Sequence, residues 1–187
     1  MEVVENLKEA IKGETEARKK YELFANKAEE ERYKEIARLF RTISYAESIH
    51  IKNHLKALSK ITESEADLNN IVSINEEEIK KKVDSTRNNL IQSISGETYE
   101  FKKMYKSFMK NAQKEEIFLA EFTFELARGA EKIHSKLFID YLKKLDKDKA
   151  IEDIDLYMCE ICGNVELREP PDVCPNCDHD KRFFKKM

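Results

Sequence analysis

Apolar residues recur at intervals of three and four along the first 145 positions, the spacing of one helical face. One stripe reads Leu7, Ala10, Ile11, Ala17, Tyr21, Phe24, Ala28, with Glu14 inside it, and a second reads Ile36, Leu39, Phe40, Ile43, Leu58, with Glu47, His50 and His54. A third runs Leu90, Ile94, Phe101, Met104, Phe108 around Glu97, and a fourth runs Ile117, Ala120, Phe124, Ala127, Phe138, Tyr141 around Glu131 and His134. The pattern predicts four long helices, each with a glutamate in the middle of its apolar stripe. From about Thr62 to Asp84 the period weakens, which predicts a loop and a short surface helix capped by Asn75 ahead of Glu76-Glu77-Glu78-Ile79. A connection of that length suits the crossover between two helical hairpins lying side by side. Asp146-Lys147-Asp148-Lys149 reads as a solvated linker, and short strands with tight turns are expected from about Ile154. The expected architecture is an all-α four-helix bundle over residues 1–150, with an insertion at about 62–84, followed by a small β/loop module over 151–187.

Composition narrows the function. Charged residues make up 38% of the chain, yet the formal net charge is only −3, so the charge is a mixed solvated surface. No basic stripe of the kind that tracks nucleic acid is present. The amino terminus, Met1-Glu2-Val3-Val4-Glu5, is acidic and lacks the basic start and apolar block of an export signal. No apolar run is long enough to span a membrane. All four cysteines lie between Cys159 and Cys177, so a reducing, cytoplasmic setting with a metal site is expected rather than disulfides.

The chain repeats itself. Asn6-Leu7 through Gly13-Glu14-Thr15 returns as Asn89-Leu90 through Gly96-Glu97-Thr98, and Ala46-Glu47-Ser48-Ile49-His50 returns as Ala130-Glu131-Lys132-Ile133-His134. Each half thus carries one lone carboxylate and one E-x-x-H, whose glutamate and histidine share a helix face. A buried carboxylate is costly unless paired, and no arginine recurs beside these four. Two metal ions held by Glu14, Glu47, His50, Glu97, Glu131 and His134 are the expected partner, and the oxygen-rich set suits iron or manganese better than zinc. The repeat fails at one place: Glu14 is followed one turn later by Ala17, Glu97 by Glu100. The site is therefore expected to be asymmetric, with Glu100 a further ligand that exchanges with oxidation state or else a solvent-facing glutamate. His54, one turn beyond His50, reads as a partner of the ligands or a core histidine. Tyr21 and Tyr105, about two turns after Glu14 and Glu97, are expected to hydrogen-bond to carboxylates near the metals, and packing alone accounts for them almost as well.

Cys159-Glu160-Ile161-Cys162 and Cys174-Pro175-Asn176-Cys177 are two C-x-x-C knuckles, the spacing of a tetrahedral four-thiolate site for iron or zinc. A module of some thirty residues builds little core, so the ion would also hold its fold together. His179, just outside the second knuckle, reads as a surface residue.

Taken together, the segments Gly13–Arg18 with Tyr21, Phe40–His54, Gly96–Glu100 with Met104-Tyr105, Ala130–His134 and the terminal knuckles resemble, in this order, a rubrerythrin. The resemblance implies a ferritin-like di-iron bundle joined to a rubredoxin-like module with one iron held by four cysteines, and a peroxidase that reduces hydrogen peroxide to water. It carries Glu14, Glu47, His50, Glu97, Glu100, Glu131 and His134 over as di-iron ligands, with Glu100 and His50 alternating on one iron, and makes Cys159, Cys162, Cys174 and Cys177 the ligands of a third, for which zinc is the alternative. It further implies an external electron-donor protein or reductase and a head-to-tail homodimer in which one chain's cysteine module lies near its partner's bundle. Three features depart from the family pattern: the long 62–84 connection, Asp178 where glycine is usual, and Asn164 where an aromatic residue is common. The rival readings are a ferroxidase or iron-storage protein and a helical scaffold with a zinc ribbon.

Overall fold

The computed structural model describes all 187 residues. The first hairpin pairs α1 (Glu2–Glu30) with α2 (Lys34–Thr62), and the chain reverses between them through Arg32 at φ 68°. Acidic Glu2 and Glu5 in the first turn of α1 and Lys27 in its last turn complement the helix dipole. The crossover holds two short helices, α3 (Leu68–Ile71) and α4 (Glu76–Lys80). Asn75 caps α4 as expected, its side chain accepting from the Glu78 N–H at 3.3 Å. The second hairpin begins with α5 (Thr86–Tyr99), capped by Ser85, and returns along α7 (Phe118–Asp146).

The third stripe, read as one helix, is interrupted. A π-helical turn, Glu100–Met104, separates α5 from α6 (Tyr105–Lys114). The cause is one extra residue: Tyr21 lies seven positions after Glu14, but Tyr105 lies eight after Glu97. A π-turn absorbs one residue without breaking the helix, and it leaves Tyr105 on the same face as Glu97.

Two apolar plugs form the core. One gathers Tyr21, Phe24, Phe40 and Phe138, with ring centroids 5.2 Å apart for Phe40 and Phe138. The other gathers Leu7, Ile11, Tyr105, Phe108 and Phe124. The glutamates and histidines of the four stripes lie in the polar layer from which Tyr21 and Tyr105 reach into the two plugs.

The carboxyl-terminal module is a three-stranded antiparallel sheet in the order β2-β1-β3, with β1 Leu156–Cys159, β2 Val165–Leu167 and β3 Phe184–Lys186. Met158 stands opposite Val165 on one side and Lys185 on the other. Leu156, Met158 and Val165 are buried in the same cluster as the first plug, so the module is packed onto the bundle of its own chain. Asp178 takes φ +58°, the conformation that favours glycine, and its N–H donates to the Cys174 carbonyl at 2.9 Å. Asn164 is fully buried and donates to Glu166 at 2.9 Å.

Candidate metal centre

Four helices bring six donor side chains to one point. Glu14 comes from α1, Glu47 and His50 from α2, Glu97 from α5, and Glu131 and His134 from α7; each is at most 1% exposed. Their donor atoms form two overlapping groups, each within 4.8 Å: Glu14, Glu47, His50 and Glu131, and Glu47, Glu97, Glu131 and His134. Glu47 and Glu131 belong to both, the position of bridging carboxylates, and each histidine belongs to one. His50 Nδ1 lies 2.8 Å from Glu131 Oε1 and 2.9 Å from Glu47 Oε2, and His134 Nδ1 lies 2.8 Å from Glu131 Oε2. The imidazole planes are nearly parallel, with centroids 5.9 Å apart.

The protein alone does not satisfy this cluster. Both oxygens of Glu47, one each of Glu14, Glu97 and Glu131, and His50 Nδ1 are buried without an aligned hydrogen bond, the short approaches of His50 Nδ1 to Glu47 and Glu131 being charge contacts between groups converging on one point. Such atoms are expensive to bury unpartnered. Burial, reinforced by the Glu131 charge, pushes the Glu97 carboxyl up to about 8, and burial with the charges of Glu131 and Glu14 pushes Glu47 well above the usual carboxylate range. Burial acts against charge on His50 and His134, but Glu131 and their other carboxylate neighbours outweigh it and raise both. Burial would likewise raise Glu131, yet the two imidazoles outweigh it and keep that carboxylate ionised. The cluster gathers protons because it gathers donor atoms. Convergent, orphaned oxygen and nitrogen donors, two of them shared, fit a pair of iron ions.

The two tyrosines are exchanged between the halves of the repeat. Tyr21 of the first half donates to Glu97 of the second, and Tyr105 of the second donates to Glu14 of the first. Burial, then the carboxylate charges, hold both phenols well above their ordinary value, so they remain donors. His54 is no member of either donor group. Its Nε2 lies 3.0 Å from the Tyr105 oxygen and its Nδ1 lies 3.1 Å from Thr123 Oγ1. Since the Tyr105 proton goes to Glu14, Nε2 carries the hydrogen to Tyr105 and Nδ1 accepts from Thr123. Burial holds His54 down at about 4, a neutral ring.

Glu100 stands apart from the six. It sits in the first position of the π-turn, half-buried, on the wall of a surface cleft. Burial and the charges of Glu14, Glu97, Glu131 and Glu47 raise its carboxyl well above the usual range, so it lies within electrostatic reach of the cluster.

The four cysteine sulfurs also converge within 4.8 Å. Cys159 and Cys177 are 3.7 Å apart, as are Cys162 and Cys174. A tetrahedron with metal–sulfur bonds of about 2.3 Å has an edge of about 3.8 Å, while a disulfide needs about 2.05 Å. The set fits one tetrahedral ion, iron in a rubredoxin-like module. His179 is half-buried rather than at the surface, with Nδ1 2.8 Å from the Cys177 carbonyl.

One set of contacts carried no signal in the sequence. The outward nitrogen of each histidine in the donor groups meets a carbonyl of the first cysteine knuckle: His50 Nε2 to Cys162 O at 3.1 Å, and His134 Nε2 to Gly163 O at 2.9 Å. These bonds place the proton on Nε2 and turn Nδ1 toward the carboxylates. Gly163 allows the approach, since a Cβ there would lie 2.5 Å from His50 Nε2. Asn53 and Asn176 fasten the seat by donating to the Ile161 and Leu126 carbonyls, both at 2.9 Å. The knuckle thus lies on the bundle of its own chain.

Comparison with known proteins agrees with this architecture. The Rubrerythrin family profile matches residues 5–142, and that of the rubrerythrin rubredoxin-like domain matches residues 157–185. Rubrerythrin-2 of Clostridium acetobutylicum is 35% identical over 179 residues, 96% of this chain and 93% of that protein. Nigerythrin of Nitratidesulfovibrio vulgaris is 34% identical over 97% of this chain and 84% of its own. The structure of fully reduced, all-ferrous nigerythrin superposes with a TM-score of 0.86 at 33% identity, covering 99% of this chain and 86% of that one. With a ferritin-like bundle, a carboxylate–histidine di-iron site and a four-cysteine rubredoxin-like module, the chain belongs to the rubrerythrin family.

Proposed function

We propose that this chain is a peroxidase that reduces hydrogen peroxide to water, H2O2 + 2 H⁺ + 2 e⁻ → 2 H2O, with electrons entering through the cysteine module. The observation that carries this reading is the pair of hydrogen bonds from His50 and His134 to the Cys162 and Gly163 carbonyls. They support it because they join the four-cysteine module directly to the buried carboxylate–histidine cluster, an arrangement that neither an iron store nor a scaffold requires. Glu14, Glu47, His50, Glu97, Glu131 and His134 would hold the iron pair, Glu100 would be the carboxylate that exchanges with His50, and the four cysteines would hold the third iron. When bound, the pair supplies the two electrons that cleave the O–O bond, and the third iron passes electrons singly.

The chain's own groups handle protons and water. Tyr105 and Tyr21 keep Glu14 and Glu97 oriented, and His54, neutral, keeps the Tyr105 hydrogen pointed at Glu14. Burial raises the carboxyls of Glu97 and Glu100 in the metal-free protein, so both release protons when the ions bind. The two apolar plugs exclude bulk water from the rest of the layer. Residues 1–150 and 151–187 act as separate units, reacting bundle and electron entry. An external donor protein or reductase in the cytoplasm supplies that entry, and the working form is a homodimer whose head-to-tail pairing sets the identical seat on the partner within reach of each module. No helix is long and apolar enough to cross a membrane.

Stopped-flow mixing of the fully reduced, anaerobic protein with peroxide tests the reading. Oxidation of the bundle within the mixing time, much faster than with dioxygen, is the expected result. Slow reaction with peroxide but rapid oxidation and mineral loading with ferrous iron and dioxygen would replace it with the ferroxidase reading.

A further inference from the structure

Of the acidic and imidazole side chains assigned to the site, Glu100 alone meets open space. It lines a cleft of about 180 Å³ together with Gly13, Glu16, Ala17, Lys20, Ile79 and Lys82. The walls come from three parts of the chain. Gly13, Ala17 and Lys20 lie on one face of α1, Glu100 opens the π-turn, and Ile79 and Lys82 belong to the crossover that departs from the family pattern. Ala17 is the residue that answers Glu100 across the internal repeat, so a carboxylate on one wall is met by a methyl group on the other. A Cβ added to Gly13 would touch nothing within 4 Å. The small residues of α1 are what keep the space open.

We propose that this cleft is the port by which peroxide reaches Glu100 and the buried cluster, with Lys20 and Lys82 as the residues that select it; the proposal rests on the peroxidase reading. Peroxide both donates and accepts hydrogen bonds, and the cleft offers both partners: ammonium donors from Lys20 and Lys82, carboxylate acceptors from Glu16 and Glu100. Neither ammonium group is held in a salt bridge. Lys19, Lys80 and Lys81 are each spent in salt bridges, whereas Lys20 and Lys82 form none. The Lys20 ammonium lies 5.2 Å from the centre of the Tyr21 ring and 3.8 Å from where a Cβ on Gly96 would stand. It thus lies by the ring whose hydroxyl donates to Glu97. Dioxygen, which donates no hydrogen bond and accepts only weakly, gains nothing from these groups. Ile79, 4% exposed, closes the side of the cleft that faces α4.

Gly13→Phe introduces a ring at the wall of the port from a Cβ that meets nothing within 4 Å, and it exchanges a poor helix former for a better one. In the iron-loaded variant, the second-order rate of oxidation by peroxide should fall at least tenfold, and azide should associate with the oxidised bundle, followed by its visible absorbance, with a similar slowing. Oxidation of the cysteine-bound iron by ferricyanide should keep the wild-type rate. Wild-type rates with both peroxide and azide in Gly13→Phe would overturn the port. Lys82→Met, on the exposed rim and outside the core, should lower the peroxide rate severalfold and leave the dioxygen rate unchanged; an equal fall in both, or in neither, would overturn the selectivity. Should the wild-type protein itself ignore peroxide, the peroxidase reading fails, and the azide comparison still decides whether this cleft is the way in.

Discussion

His54 marks a difference between two halves that otherwise mirror each other. Carried forward 84 positions, the repeat sets Phe138 against His54 and Thr123 against Leu39. Tyr105 therefore has a hydrogen-bonding neighbour, while Tyr21 packs on Phe138 and Phe40. Tyr105→Phe strands a Glu14 oxygen and the His54 Nε2–H at once, and should cost about 2–3 kcal/mol in urea unfolding; Tyr21→Phe strands only Glu97 and should cost about half as much. The carboxyls dictate a second expectation. Glu97 is raised in the folded state, so its contribution to stability is present below about pH 4.5 and lost as pH climbs through about 8. Glu47 acts in the same direction. The raised histidines His50 and His134 stabilise below about pH 6.5 and lose that contribution as pH rises, while Glu131 and His54 act in reverse, Glu131 losing its contribution as pH falls below about 4.5 and His54, held down at about 4, losing its own as pH falls below about 6.5. Metal-free protein should thus weaken between pH 6.5 and 8.5, where His54 no longer opposes the raised groups, by an amount on the order of 3 kcal/mol, while the iron-loaded protein stays level. Urea midpoints across that range, with and without chelator, measure the difference. The four stripe glutamates and the two E-x-x-H pairs were legible in the sequence because helical periodicity fixes which face they share. The tautomers were not, because only the groups packed behind the rings decide them.

At the scale of elements, the π-turn is where the two hairpins cease to be copies. The repeat offset is 83 before it and 84 after it, and the turn that absorbs the added residue is the one that carries Glu100. Deleting the exposed Lys102 would restore α-helical spacing between Glu97 and the tyrosine. The fold should survive, with far-ultraviolet circular dichroism unchanged, but Glu100 should leave its wall of the cleft, and reaction with peroxide should slow at least tenfold. Periodicity showed the stripe and missed the interruption, because a π-turn returns the following residues to the same face. In the small module, Asp178 occupies a left-handed position. Asp178→Gly should stabilise the four-cysteine unit by about 1 kcal/mol, seen as slower loss of its metal to a chelator.

For the molecule as a whole, the seat of the cysteine module is the decisive feature. Gly129 on α7 leaves room for Asn176, and a Cβ there would lie 1.7 Å from its side-chain oxygen. Gly129→Val should therefore push the module off the bundle. The thiolate-to-metal absorbance should persist, and electron transfer from the module to the bundle should slow by an order of magnitude or more. Where dimers form, the module either keeps this seat or exchanges it for the identical one on the partner. Mixing chains that lack the cysteines with chains that lack Glu97 and Glu131 separates the two: no transfer in the mixed dimers means the seat is kept. Sequence alone determined the four stripes, the buried carboxylates, the two metal-ligand vocabularies and the order of the units, since periodicity and spacing act over a few turns of chain. Tertiary structure alone decided that Tyr21 and Tyr105 cross between halves, that Ala17 faces Glu100 across a cleft, and that the knuckle carbonyls meet His50 and His134. Those partners lie up to 112 residues apart, and only the packing of helices against one another and of the sheet against the bundle brings them within hydrogen-bond reach.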